Sequence, residues 1–255
     1  HTRCLSDWSS DVCSSDLNAA LSANGGAAGS GVQGNGGTVQ LVSTGTAVAS
    51  TITQGAAITA TGATGGNLKV TASDDVTLQN TGNDVAKLAA NITTAGKSFK
   101  YTDANTLAID QVAQAGSSAV VLGVPSGTTA TQALMNGITT LGGSGGSVVV
   151  NTLSTGTLDV NQAISTVPTG TGTTVGGSVV LESNGAITTA AAGTITTTGQ
   201  ASAAGLGGVG GEVFIHHTNL TTTAGDITLG GTVTANGGSA AVGGTTGGSG
   251  GVVTL

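Results

Sequence analysis

The residues that could do chemistry in this chain are few and far apart. Beyond Asp110 the only carboxylates are Asp159, Glu182, Glu212 and Asp226. Two neighbouring carboxylates can act as acid and base, or acid and nucleophile, in glycoside cleavage, with a cation nearby to offset developing charge. Aligning Gly156 with Gly177 sets Asp159 opposite Val180 and Glu182 opposite Asn161, so these two acids are not expected to meet. Glu212 and Asp226 each follow a glycine that opens an alternating apolar stretch, and they are expected on different faces. No lysine or arginine follows Lys100. Catalysis is therefore not expected, and no catalytic residue is assigned.

His216 and His217 are the next candidates. Adjacent residues on a strand point to opposite faces, so the pair cannot share one metal ion. Continuing the parity of Val213 and Ile215 places His216 outside and His217 inside or at a corner, where a structural role is expected. The run Gly142-Gly143-Ser144-Gly145-Gly146-Ser147 lacks the aspartate of a calcium-binding nonapeptide. Asp74, Asp75 and Asp103 read as solvated turn residues. No glycine run continues into the Gly-Lys-Ser/Thr of a phosphate loop. No metal ligand and no cofactor site is assigned.

The elements that would position these residues share one phrase: glycine, any residue, aliphatic, any residue, aliphatic. It begins at Gly37, Gly66, Gly146, Gly177, Gly211, Gly225 and Gly251. Alternation at period two marks a strand with one buried face, and the leading glycine is expected to make a sharp turn. Strands this short cannot bury an apolar face alone, so stacked copies must bury it for one another. The expected fold is all-β, a right-handed parallel β-helix (a β-solenoid), with Val, Ile, Leu and Ala inside. A larger unit of strand, glycine loop and strand runs from Leu21 to Leu41, Ile195 to Ile215 and Val233 to Leu255. Loops this long and glycine-rich argue against tight antiparallel hairpins. At roughly 20–35 residues per coil, about 8–12 coils would make a rod on the order of 50 Å long. The segment 83–112 departs from the pattern and reads as a broadened coil, with one helical turn expected across Val85–Ala90.

Composition narrows the function classes. The formal charge is −7, with 5 basic residues against 12 acidic ones, so nucleic acid and anionic lipid are poor partners. Charged residues are only 7% of a chain rich in β-branched residues, which argues against ordinary disorder. No apolar run is long enough for a transmembrane helix.

Residues 7–17, Asp7-Trp8-Ser9-Ser10-Asp11-Val12-Cys13-Ser14-Ser15-Asp16-Leu17, resemble the translation of a common sequencing adapter, and residues 1–17 are set aside as a non-native tail. Cys4 and Cys13, the only two cysteines, fall within it, so no disulfide is inferred. Residues 18–255 form the repeat segment, and both ends read as cut, the second inside a strand phrase at Leu255.

Gly66-Asn67-Leu68-Lys69-Val70-Thr71-Ala72, Asp75-Val76-Thr77-Leu78 and Gly225-Asp226-Ile227-Thr228-Leu229 resemble the repeats of filamentous haemagglutinin-like exoproteins. The stretch Asp84 to Ile109 is similar to a unit of large bacterial β-strand-repeat surface proteins. This resemblance implies a non-enzymatic passenger segment of a large secreted surface protein, extracellular or on the cell surface, concerned with adhesion or biofilm contact. It also implies host-cell or matrix carbohydrate or protein as partner, and an outer-membrane transporter during export. The alternative is part of a carbohydrate-active β-helix enzyme whose catalytic coils lie outside this stretch.

Overall fold

Each alternating phrase finds its apolar partners one coil away, and the strands pair almost entirely in parallel. A computed structural model describes residues 15–29, 31–44, 50–113, 120–122, 134–153, 155–203, 205–218, 225–241 and 246–255. The front wall stacks eight strands in the order β1 (Ser15–Leu17), β4 (Ile52–Gln54), β7 (Val76–Leu78), β10 (Phe99–Asp103), β16 (Val148–Thr152), β19 (Val179–Ser183), β22 (Val213–His217) and β25 (Val253–Thr254). At about 4.8 Å per step these eight rungs rise roughly 34 Å, at the low end of the expected number of coils and shorter than the rod expected above. No helix occurs among the described residues. The arrangement is consistent with a β-solenoid.

The rear wall changes design partway along. It begins with β13 (Val120–Leu122), β3 (Thr38–Ser43), β6 (Asn67–Ala72) and β9 (Lys87–Ile92), paired in that order. Beyond β9 it divides. One branch continues through β11 (Leu107–Ile109), β17 (Leu158–Val160), β20 (Ile187–Thr189) and β23 (Ile227–Leu229). The other runs through β15 (Ile138–Thr139), β18 (Ile164–Ser165), β21 (Ile195–Thr196) and β24 (Val233–Thr234). The splice is visible in the register: Lys87 and Leu88 pair with Ala108 and Ile109, while Ala90 and Asn91 pair with Ile138 and Thr139. A side strip of β2 (Leu21–Ser22), β5 (Ile58–Ala60) and β8 (Asp84–Val85) completes the early coils. The rear wall divides at β9, within 83–112, and the chain continues past Ile109 into a further departure from the pattern. There β12 (Gln111–Val112) and β14 (Met135–Asn136) form the one antiparallel pair among the described strands.

Inward positions stack like on like. Val76, Phe99, Val148, Val179 and Val213 form one column, and Leu78, Tyr101, Val150, Leu181 and Ile215 the next, all buried. Leu88, Ala90 and Ile92 match Leu68, Val70 and Ala72 on the rear wall. That match overturns the helical turn expected over Val85–Ala90. Three buried contacts and a full parallel ladder outweigh a helix preference worth tenths of a kcal/mol per residue. The tail boundary at residue 17 falls inside paired structure, since Ser15–Leu17 join Ile52–Gln54 and Leu17 is buried. Residues 1–14, with Cys4, Trp8 and Cys13, lie outside the described residues.

The leading glycines serve a purpose other than the expected turn. None of the seven lies in the left-handed region. A Cβ on Gly66 would sit 2.2 Å from the Gly37 carbonyl oxygen, one on Gly177 1.6 Å from that of Gly146, and one on Gly211 2.2 Å from that of Gly177. Stacked backbones simply come too close there for any side chain. The same glycines seal the necks of the loops. Backbone N–H groups of Gly37, Gly66, Gly177, Gly211 and Gly251 donate to the carbonyls of Ala23, Ala60, Thr166, Thr197 and Ala235. The shared phrase nonetheless falls on two walls: Gly37 and Gly66 lead into rear strands, Gly146, Gly177, Gly211 and Gly251 into front strands.

Replacing Gly211 with alanine is expected to destabilise the fold by about 1–3 kcal/mol through overpacking against the Gly177 carbonyl. Gly26→Ala, where a Cβ meets nothing within 4 Å, should change stability little. Thermal unfolding of the two variants checks this, and equal losses would refute the close-stacking account.

Candidate functional site

The four downstream acids stay apart. In register, Asp159 faces Thr188, whose hydroxyl donates to its Oδ1 at 2.6 Å, while Glu182 lies between Asn151 and His216. The alignment of Gly156 with Gly177 is thus corrected: Leu158 pairs with Ile187, which sets Gly156 beside Gly185. Equal spacing after a glycine misled it, because Gly156 leads into the rear wall and Gly177 into the front wall. Glu212 and Asp226 are exposed and precede strands of different walls, as expected. No two of these four acids face each other on neighbouring rungs.

His216 is exposed on the front wall and stacks on Phe214, with ring centroids 5.3 Å apart. His217 is half-buried, and its Nε2 accepts the backbone N–H of Gly225 at 3.0 Å, so it pins the corner between β22 and β23. The two rings point to opposite sides, as parity required.

The acids expected in solvent behave differently. Asp74 is buried and forms an ion pair with Lys97 at 2.6 Å, and Asp75 lies 3.7 Å from the same ammonium. Burial works to raise the Asp74 pKa, but the Lys97 bond and backbone donors hold it below the ordinary range. Asp103 is fully buried. It follows Phe99 and Tyr101 at period two, so its side chain points into the core, a signal present in the sequence and not used. Its Oδ2 accepts the Tyr101 hydroxyl at 2.8 Å and the Val85 N–H at 3.1 Å, and its Oδ1 accepts the Asn105 N–H at 2.9 Å. Desolvation outweighs those donors and pushes its pKa up to about 6. The Tyr101 phenol is raised as well, by burial first and by the neighbouring carboxylate second. One corner away, the buried Asn83 accepts the Ile58 N–H at 2.9 Å and donates to the carbonyls of Leu78 and Thr102. This network is sealed from solvent and cannot reach a substrate. It is a structural polar core.

The open site of interest lies at the splice on the outer face of the rear wall. Gln40, Lys69 and Ala89 occupy one outward column, yet all three are buried. Strand β12 lies against β9 and β6, and β14 against β9, beside this column. Between them is a cleft of about 500 Å³. Lys69, Thr71, Asn91 and Thr139 project from the wall side, and Leu134, Met135 and Asn136 come from the insertion. Lys69 is 2% exposed, and burial lowers its pKa from the ordinary lysine value. Parity marks Lys69 as outward in the sequence. Only the insertion, which carries no recognisable phrase, makes it a pocket residue.

Comparison with family models, with curated proteins and with solved structures found no match to this chain.

Asp103 gives a pH test. Its folded pKa lies above its unfolded value, so the folded state holds the proton more tightly and its contribution is full below about pH 4. That contribution is lost as pH climbs through about 6, and the shift corresponds to about 3 kcal/mol. Denaturant unfolding of the chain at pH 4 and pH 7 should show this fall, and Asp103→Asn should flatten it. A variant that keeps the full slope would remove Asp103 as its source.

Proposed function

We propose that this chain is a non-enzymatic passenger segment of a large secreted bacterial surface protein, folded as a right-handed parallel β-helix. Its work is mechanical: a stiff stack of coils holds adhesive or contact regions away from the cell and carries glycine-rich loops at its edge. The observation that carries this reading is the unbroken parallel ladder of the front wall from Ser15–Leu17 to Val253–Thr254. A core of near-identical columns backs it along its length. Rungs of this kind add stability nearly one by one, so length can grow without a new fold. The separation of Asp159, Glu182, Glu212 and Asp226 favours a spacer over a carbohydrate-active enzyme, which needs its carboxylates side by side.

The resemblance of Gly66–Ala72 and Gly225–Leu229 to haemagglutinin-like repeats supports an extracellular or cell-surface location. On this reading the partners are host-cell or matrix carbohydrate or protein, with an outer-membrane transporter during export.

Antibodies raised against the chain should label intact cells of the producing bacterium, and brief external protease treatment should remove the label. Signal that appears only after permeabilisation would overturn the surface assignment.

A further inference from the structure

Asparagine is followed directly by glycine five times, at Asn24, Asn35, Asn136, Asn184 and Asn236. This pairing carries a latent reaction that needs no enzyme. The glycine nitrogen gives up its proton and attacks the asparagine carboxamide carbon. The new C–N bond closes a five-membered succinimide, and the old C–N bond breaks to release ammonia. Water then opens the ring at either carbonyl and leaves aspartate or isoaspartate. Glycine favours the closure because it has no Cβ to obstruct the attack and the widest backbone freedom. Solvent exposure does not separate the five, since Asn24, Asn35, Asn136 and Asn236 are all exposed.

Hydrogen bonding does separate them, because both reacting groups must be unspent. At Asn24 the carboxamide Oδ1 accepts the Thr61 N–H at 2.8 Å, and the Gly25 N–H donates to the Thr61 carbonyl at 2.7 Å. At Asn136, Oδ1 accepts the Gln111 carboxamide N–H at 2.9 Å, and the Gly137 N–H donates to the Asp110 carbonyl at 3.2 Å. At Asn184, Oδ1 accepts the Thr218 hydroxyl, and the Gly185 N–H donates to the Ser183 hydroxyl oxygen at 3.0 Å. Among the described residues nothing bonds the Asn35 carboxamide, the Asn35 carbonyl or the Gly36 N–H. At Asn236 the carboxamide and the Gly237 N–H are unbonded too, while the Asn236 carbonyl accepts the Gly199 N–H at 2.9 Å. We infer that Asn35 and Asn236 are sites of spontaneous deamidation in the folded chain, and that the fold protects Asn24, Asn136 and Asn184.

Both sites sit in glycine loops whose backbones touch a neighbouring arm. A Cβ on Gly36 would lie 2.6 Å from the Ala60 carbonyl oxygen, and one on Gly237 1.8 Å from that of Gly248. Isoaspartate adds a methylene to the main chain and a carboxylate to the loop. Conversion at either site therefore disturbs close stacking and adds one negative charge to a chain already at −7. Water is the only co-reactant and ammonia is lost, so the change runs one way and records the age of the loop. The inference goes beyond the spacer reading and does not rest on it. The carbonyl bond to Gly199 holds the Asn236 peptide plane, so Asn35 is the faster of the two.

The test is incubation of the whole folded chain in neutral buffer prepared with oxygen-labelled water, followed over time by peptide mass spectrometry that separates aspartate from isoaspartate. A parallel sample is kept in denaturant. Each protected site must break two hydrogen bonds before it reacts, so Asn35 and Asn236 are expected to convert about tenfold faster than Asn24, Asn136 and Asn184. In denaturant the five sites should converge, because each presents the same Asn-Gly pair. Thr218→Val removes the donor on Asn184 and should speed that site severalfold in the folded chain. Equal rates at all five sites in the folded chain would overturn the inference. So would conversion of Asn24, Asn136 or Asn184 ahead of Asn35, or a folded chain that keeps Asn35 and Asn236 intact while the denatured chain converts.

Discussion

The closeness of one coil's backbone to the next is the constraint on which this structure depends. Parallel hydrogen bonding fixes the rung spacing at about 4.8 Å. Where the chain leaves a loop and enters a strand, successive backbones approach so closely that a Cβ would lie within about 2 Å of the carbonyl above it at Gly66, Gly177, Gly211 and Gly251. Glycine is needed at these points for contact and not for φ. Once the neck is closed, the loop length is free: the bonded pairs Gly66–Ala60 and Gly251–Ala235 enclose very different spans with the same closure. Described residues of the longer loops bond to one another as well. Gly208 donates to Gln200 within one loop, Gly238 to Gly208 across loops, and Gly248 to Gly238 within the next. Cβ atoms on Gly208, Gly238 and Gly248 would collide with carbonyls of these neighbouring arms. The glycine loops thus pack as a second, two-layered stack beside the walls, and their composition is a packing requirement.

Period-two alternation made the strands legible, and the likeness of the phrases made their stacking legible. It could not show which phrase stacks on which. Gly156 and Gly177 open similar phrases yet lead to different walls, because a local signal reports a strand's buried face and not its place around the coil. The splice was hidden for a related reason. Val85–Ala90 reads like a helical turn, and only the partners of β9, Asn67–Ala72 on one side and two shorter strands on the other, reveal its role. Asp103 was misread through residue type. Aspartate is common in turns, but the parity that follows from Phe99 and Tyr101 turns Asp103 inward, and parity is the stronger physical signal. The cleft was illegible because it needs the fold-back of an insertion with no repeat of its own.

Several buried polar groups sit at strand ends and turns, where their side chains take up backbone donors and acceptors. Asp103 serves the N–H groups of Val85 and Asn105. Asn83 serves Ile58, Leu78 and Thr102. Farther along the same corner column, Thr152 and Ser183 replace Asp103; Thr152 bonds Ser183 at 2.7 Å, and Ser183 bonds the Gly156 carbonyl at 2.9 Å. At the loop necks, Thr197 bonds the carbonyl of Gly211, whose N–H already closes the loop. The small hydroxyls suffice where the coil is regular. The charged and amide groups appear beside β8, where the design of the coil changes and more backbone is left unmatched.

That change of design also accounts for where a cleft can arise. In a regular solenoid the outer faces are flat ladders, open to water, and a lone outward lysine stays solvated. Here one six-residue strand is followed by two short ones, and in the chain between Ile109 and Ile138 β12 and β14 pair antiparallel while β13 joins the rear wall beside β3. Strands β12 and β14 lie against β9, and β12 also against β6, beside a column in which Gln40, Lys69 and Ala89 are all buried. A lysine on a rigid strand is thereby enclosed without any alteration of the ladder beneath it. Rigid position comes from the stack, and enclosure from the insertion. Position and enclosure thus fall on separate parts of the sequence, the first on β6 and β9 and the second beside β14.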